Sequence, residues 1–146
     1  MTLARMQELV RASLSSAVVR QRAAVLRGAT ARDTAENIER FLQLGFIFRH
    51  DPTNMELLHA PQVLLAQWEQ RGYMVGDCDD AAILAAALAR ASGLRVRFRV
   101  AGWHADGPLT HVYAVLQIGA HEWMALDVTH LPTIPAQARR QIEVDA

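Results

Sequence analysis

The sequence contains no lysine, and all fifteen basic residues are arginine. The chain therefore has no side-chain amine through which it can be cross-linked to itself. It has one cysteine, Cys78. An internal disulfide is excluded, and a lone thiol fits a reducing compartment or a group kept for chemistry. Formal net charge is zero, so no global field draws the chain to nucleic acid or to an anionic membrane. No apolar run is long enough to span a bilayer. Glu8 and Arg11 interrupt the apolar residues near the start, which argues against a secretory signal. The location expected from these features is cytoplasmic. Residues 1–29 are rich in Arg, Ser and Ala and loosely mimic an organellar transit peptide, but an ordinary amphipathic helix is the stronger reading. Internal repeats and low-complexity linkers are absent.

What is present is a globular composition, 51% apolar over 146 residues. That length suits a single domain spanning residues 1–146, with a core that needs no metal or disulfide staple. Leu3, Met6, Val10, Leu14, Ala17, Val18 and Val25 recur near helical spacing. They predict a peripheral N-terminal helix over residues 3–27, ended by Gly28. Thr30 to Asp33 carries a capping-box pattern, and Ile38, Phe41 and Leu42 follow on one face, predicting a second helix over about 33–44. Asp51-Pro52 and Ala60-Pro61 mark turn or extended chain. A short helix is expected over 62–71. From Cys78 to Ala91 the chain is alanine and leucine nearly all round, the pattern of a buried helix, with Ser92-Gly93 as its stop. The period then changes to two. Val96, Phe98 and Val100 alternate with Arg95, Arg97 and Arg99, a half-buried strand with a solvated arginine face. Residues 102–109 form a loop, 110–118 and 122–128 are strands, and a short peripheral helix is expected after Pro132.

Cys78 stands at the expected first turn of the buried helix. Unpaired amides and positive dipole charge there favour a thiolate and can hold an oxyanion. Asp77, Asp79 and Asp80 oppose a low thiol pKa, so a cationic partner, normally an imidazolium, must do most of the activation. A three-residue loop, Gly119 to His121, sets Tyr113 opposite Asp127 and puts His111, Tyr113 and Asp127 on one sheet face. His111 is then diagonal to Asp127, with Cβ atoms about 7–8 Å apart. A two-residue loop would send Asp127 to the other face. An acid within the apolar strand around Asp127 is costly to bury unpaired, which favours a partner for it.

The sequence resembles the transglutaminase-like superfamily of papain-fold enzymes. The resemblance lies in Gly76-Asp-Cys78-Asp-Asp80 and the alanine-rich run after it, in Gly93 and the arginine-rich strand, in Thr110-His111-Val-Tyr-Ala-Val, and in Trp123-Met-Ala-Leu-Asp127-Val-Thr129. It covers about residues 32–130, and the Asp-Cys-Asp-Asp form is most similar to short versions carried by bacteria and their phages. It implies an α+β fold with a papain-like core: N-terminal helices, and a buried cysteine-bearing helix packed on a small antiparallel sheet, within a catalytic core over 30–130. It implies Cys78 as nucleophile, His111 as general base and acid, and Asp127 as the group orienting the imidazole. For the oxyanion donor upstream of the cysteine, Gln70 is the candidate, with Gln62 and Gln67 as alternatives.

The expected activity is thiol-dependent acyl transfer on peptide or carboxamide bonds. The missing lysine favours hydrolysis by a cysteine peptidase or deamidase over cross-linking. The expected partner is a protein or peptide substrate, and no cofactor, metal, nucleic acid or membrane is called for. Trp103 and His104 are candidates for a substrate groove. His50, His59, His121 and His130 read as surface or loop residues. The competing possibilities are an idle fold of this type serving as a binding or phage assembly module, and a metal site drawing on Cys78, His104, His111, His121 and His130. No His-x-x-x-His or Cys-x-x-Cys pair supports the metal site.

Overall fold

A computed structural model describes residues 3–50, 57–102, 111–128 and 140–146. In chain order the elements are α1 (Leu3–Ser13), α2 (Ala17–Leu26), α3 (Ala31–Gly45), β1 (Phe46–Phe48), α4 (Pro61–Arg71), β2 (Met74–Gly76), α5 (Cys78–Ala91), β3 (Val96–Gly102), β4 (His111–Gly119), β5 (Glu122–Leu126) and β6 (Arg140–Asp145). The class is α+β, with a four-stranded antiparallel sheet in the order β5-β4-β3-β6.

Helix α5 is the axis of this arrangement. It packs against α1, α2, α3 and α4 on its helical side and against β3 and β4 on the other. A helix surrounded this way cannot carry a polar face, and every residue from Asp79 to Ala89 is buried. Its alanines let neighbouring backbones approach. We expect Ala86→Leu, at a position with no exposure, to cost about 1–3 kcal/mol through overpacking, read as a lower denaturation midpoint. The helix stops where the sequence says it should. Gly93 takes a left-handed φ of 87°, and Leu94 N–H donates to the Ala89 carbonyl at 2.9 Å.

The N-terminal segment departs from the expected single helix over 3–27. It is two helices, separated by Leu14 to Ser16. Ser13 Oγ bonds the Val10 carbonyl at 2.6 Å and Ser15 Oγ bonds the Ala12 carbonyl at 3.1 Å, local bonds that compete with helix continuation. Ser16 then caps the new helix, accepting from Val19 N–H. Met6, Val10, Val19 and Ala23 are buried. The segment is thus part of the core rather than a peripheral appendage.

Between α3 and α4, where only turn or extended chain was expected, β1 pairs in parallel with β2, Phe46 beside Met74 and Phe48 beside Gly76. Arg49 N–H extends that ladder to the Gly76 carbonyl at 2.7 Å. The C-terminal end also differs from expectation. Residues 140–145 are not helical but form β6, antiparallel to β3, with Arg99 beside Glu143 and Arg97 beside Asp145. Gln-Ile-Glu-Val-Asp (141–145) alternates with period two, a strand signal passed over at the chain end.

The β4–β5 register sets Ala114 opposite Leu126 and Gln117 opposite Trp123, but Gly119 rather than Ile118 opposes Glu122. The turn is therefore shorter than the expected three residues. A bulge between Gln117 and Gly119 supplies the missing residue and restores the parity. Val96, Phe98, Val100, Val112, Ala114, Leu116, Leu126 and Val128 join the core with α5. Ala101, Tyr113 and Val115 form a smaller cluster with Trp123 and Ala125. Over it, Arg97 stacks on Trp123 at 4.7 Å and Arg99 Nε bonds Glu143 at 2.7 Å. On the arginine face expected to be solvated, Arg95 is exposed, whereas Arg97 and Arg99 are paired with Glu143 of β6 and stacked on aromatic rings.

Candidate active site

Strand β2 delivers the chain to Asp77, which caps α5. The Asp77 carboxylate accepts from Asp79 N–H at 3.0 Å and Asp80 N–H at 3.2 Å, and its carbonyl accepts from Ala81 N–H at 3.1 Å. Asp77 thus takes two of the four orphan amides, its own N–H goes to Asp80 Oδ2 at 3.2 Å, and the fourth is the amide of Cys78 itself. The sequence suggested several helix amides for an oxyanion. The capping carboxylate reduces that number.

Cys78 is the first residue of α5 and is half-buried. Its thiol donates to the Asp79 carboxylate at 3.6 Å, and the residue packs against the core cluster that contains Val112 of β4. Burial pushes the thiol up to about 12, and Asp79 and Asp77 add to the rise against the opposing pull of the Val112 amide. The resting group is a neutral thiol. Against a free cysteine of pKa about 8.5, the thiolate fraction at neutral pH falls by roughly three orders of magnitude. The higher nucleophilicity of a more basic thiolate offsets part of this, so alkylation about a hundredfold slower is expected. Asp79→Asn removes a negative charge and a charged acceptor at once. Its iodoacetamide labelling curve is expected to move to lower pH, and an unmoved curve would contradict the role given to Asp79.

His111 opens β4 and Asp127 follows the last residue of β5. His111 Nε2 lies 2.6 Å from Asp127 Oδ2, with both side chains largely buried. A carboxylate only accepts, so Nε2 is the protonated nitrogen and Nδ1 of a neutral ring is left as an acceptor. The Tyr113 ring lies 5.7 Å from the imidazole, and Tyr113 Oη accepts from Arg99 at 3.3 Å. The structure joins His111 to Asp127 directly. Cys78 packs against the core cluster that contains Val112, the next residue after His111.

Gln70 and Gln62 are exposed on α4, whereas Gln67 is half-buried and its Oε1 accepts from Val75 N–H at 3.2 Å. Of the three glutamines, Gln67 is the one bonded to the strand that leads into Cys78. Trp103, His104 and His130 lie outside the described residues. His50 and His121 are exposed, as expected. His59 is not a free surface residue. It is tied by main chain and ring to Asp80, whose side chain has no exposure. Position 80 has a local signal as the fourth residue of a capping box, but its histidine partner lies 21 residues upstream with no pattern to reveal it. Among the described residues, no group of three or more His, Cys, Asp or Glu side chains is arranged to hold a metal ion.

No helix of the described residues is long and apolar enough to cross a membrane. No curated protein and no solved structure gave a significant match. A family model, the transglutaminase-like superfamily, matches residues 20–128. That span begins within α2, earlier than the resemblance in the sequence alone, and runs to the end of the described β5 region. With three-quarters of its length matched, and an α+β architecture to go with it, this chain belongs to the transglutaminase-like superfamily.

Proposed function

We propose that the protein is a thiol-dependent acyl transferase acting on peptide or carboxamide bonds, with Cys78 as nucleophile, His111 as general base and acid, and Asp127 as the residue that orients the imidazole. The observation that supports this best is the 2.6 Å contact between His111 Nε2 and Asp127 Oδ2. In the first step the thiol proton turns from Asp79 to Nδ1 of His111 as sulfur bonds to the carbonyl carbon. The carbonyl π pair moves onto oxygen, where the Cys78 N–H is the helix amide offered to it. The C–N bond then breaks, Nδ1–H passes its proton to the leaving amine, and a thioester remains on Cys78. Water, deprotonated by Nδ1, releases the acid and returns the proton to sulfur; an amine in its place gives transamidation. Because the thiol rests neutral, proton removal accompanies attack rather than preceding it as a stored ion pair. The absence of lysine favours hydrolysis. Gln67 is proposed in place of Gln70, because it is the glutamine bonded to the strand that leads into Cys78.

A peptide and glutamine-amide library, read for cleavage and ammonia release with and without an added amine, tests the reading. Turnover lost in Cys78→Ala supports it, and turnover retained in that variant refutes it. A second reading is an idle fold serving as a binding module, and one observation favours it: a thiol raised to about 12 is poorly nucleophilic at rest.

A further inference from the structure

Asp80 stands two residues after the nucleophile, inside the first turn of α5, with no exposure. Its Oδ1 accepts from His59 N–H at 2.7 Å. Its Oδ2 accepts from Asp77 N–H at 3.2 Å and lies 3.0 Å from His59 Nδ1. There is no slack on the remaining side. A Cβ added to Gly76 would sit 2.5 Å from Asp80 Oδ2 and 2.7 Å from its Cβ. The carboxylate is therefore wedged between the backbone that precedes Cys78 and the ring of His59, and Cys78 lies on the chain between its two intrahelical anchors, Asp77 and Asp80. An ionised carboxylate brings no proton to these bonds, so His59 donates from Nδ1. His59 belongs to the segment leading into α4 and is about one-third exposed, with a side-chain relative exposure of 32%.

We infer that His59 is a positioning residue for Cys78: by donating from Nδ1 to the buried Asp80 carboxylate, it fixes the first turn of α5 and so the line from the sulfur to His111. This rests on the acyl-transfer function proposed above. The bonds of His59 go to Asp80, so it acts through that carboxylate. Losing its donor leaves the His59 main-chain bond in place but frees Oδ2, and the Asp77 amide it holds, to shift. Asparagine at position 59 offers an N–H near the place of Nδ1 and is expected to restore the anchor without an imidazole.

The test uses the full chain, p-nitrophenyl acetate as acyl donor, and a temperature at which circular dichroism shows every variant folded. His59→Ala is expected to lower the maximal acylation rate of Cys78 by about tenfold with the half-saturating ester concentration unchanged, and His59→Asn to return it to within about threefold of the parent. A His59→Ala rate equal to the parent overturns the inference, as does a His59→Asn as slow as His59→Ala. If the parent itself is not acylated on Cys78, the proposed function fails. Positioning is then judged by iodoacetamide labelling, where His59→Ala is expected to change the Cys78 rate and His59→Asn to restore it. Equal labelling rates overturn it. Should the variants not fold, nitrogen NMR of the parent decides: an Nδ1–H tautomer at His59 supports the anchor, and a pure Nε2–H tautomer overturns it.

Discussion

His111→Ala is expected to slow acylation of Cys78 by about 10²–10⁴-fold, the usual contribution of a positioned acid–base group. The neutral thiol makes that dependence steep. With the sulfur pushed up to about 12 by burial and by Asp79 and Asp77, almost no thiolate exists without a base to remove the proton as the carbonyl is attacked. Where a thiolate is stored in advance, a base variant keeps a reactive sulfur, and here it does not. Raising the pH should therefore rescue His111→Ala in part, because solvent base then supplies thiolate. Asp127→Asn keeps the shape but presents an amide to Nε2, favouring the tautomer with its proton on Nδ1. It should depress the rate in the same direction, and without pH rescue comparable to that of His111→Ala. Equal acylation rates in parent and His111→Ala across pH would contradict the assignment.

Asp80→Ala is expected to be the most destabilising single change near the site. It strips a buried carboxylate from His59 N–H, His59 Nδ1 and Asp77 N–H, all within 3.2 Å. Breaking a buried charged network by deleting one member costs about 3–5 kcal/mol, or about 10 °C in Tm for a chain of this size. A thermal melt within about 2 °C of the parent would contradict the account of the α5 N-terminus. Asp80→Asn retains an acceptor for the His59 main chain and should lose less.

Much of this architecture was legible because it is local. The alanine run from Cys78, the Ser92-Gly93 stop, the Thr30 cap and the period-two arginine strand each carry a propensity or a pattern that neighbours do not override, and the elements stand where those signals put them. The face shared by His111, Tyr113 and Asp127 was reached through a loop length that differs from the real one. The bulge at Ile118 compensates for the shorter turn, and no residue pattern distinguishes these two routes to one parity. The break at residues 14–16 was missed because apolar spacing continues across it while Ser13 and Ser15 bond carbonyls of their own helix and Ser16 caps the next one. β6 depends on pairing with a strand some 40 residues away, which period alone at a chain end does not announce. The state of the thiol was only half legible. Sequence displays the neighbouring charges and the dipole, but desolvation depends on how much of the sulfur is covered, and here that effect leads. His59 was missed for the same reason, since its partner and its burial are tertiary.

The most direct measurement is intact-protein and peptide mass spectrometry after a brief exposure of the full chain to p-nitrophenyl acetate, with Cys78→Ala and His111→Ala alongside. With acyl transfer through Cys78, one acetyl group appears on the Cys78 peptide of the parent, none on that peptide in Cys78→Ala, and far less in His111→Ala at the same time point. An acetyl group distributed over other residues, or a Cys78 peptide equally acetylated with and without the imidazole, would contradict it.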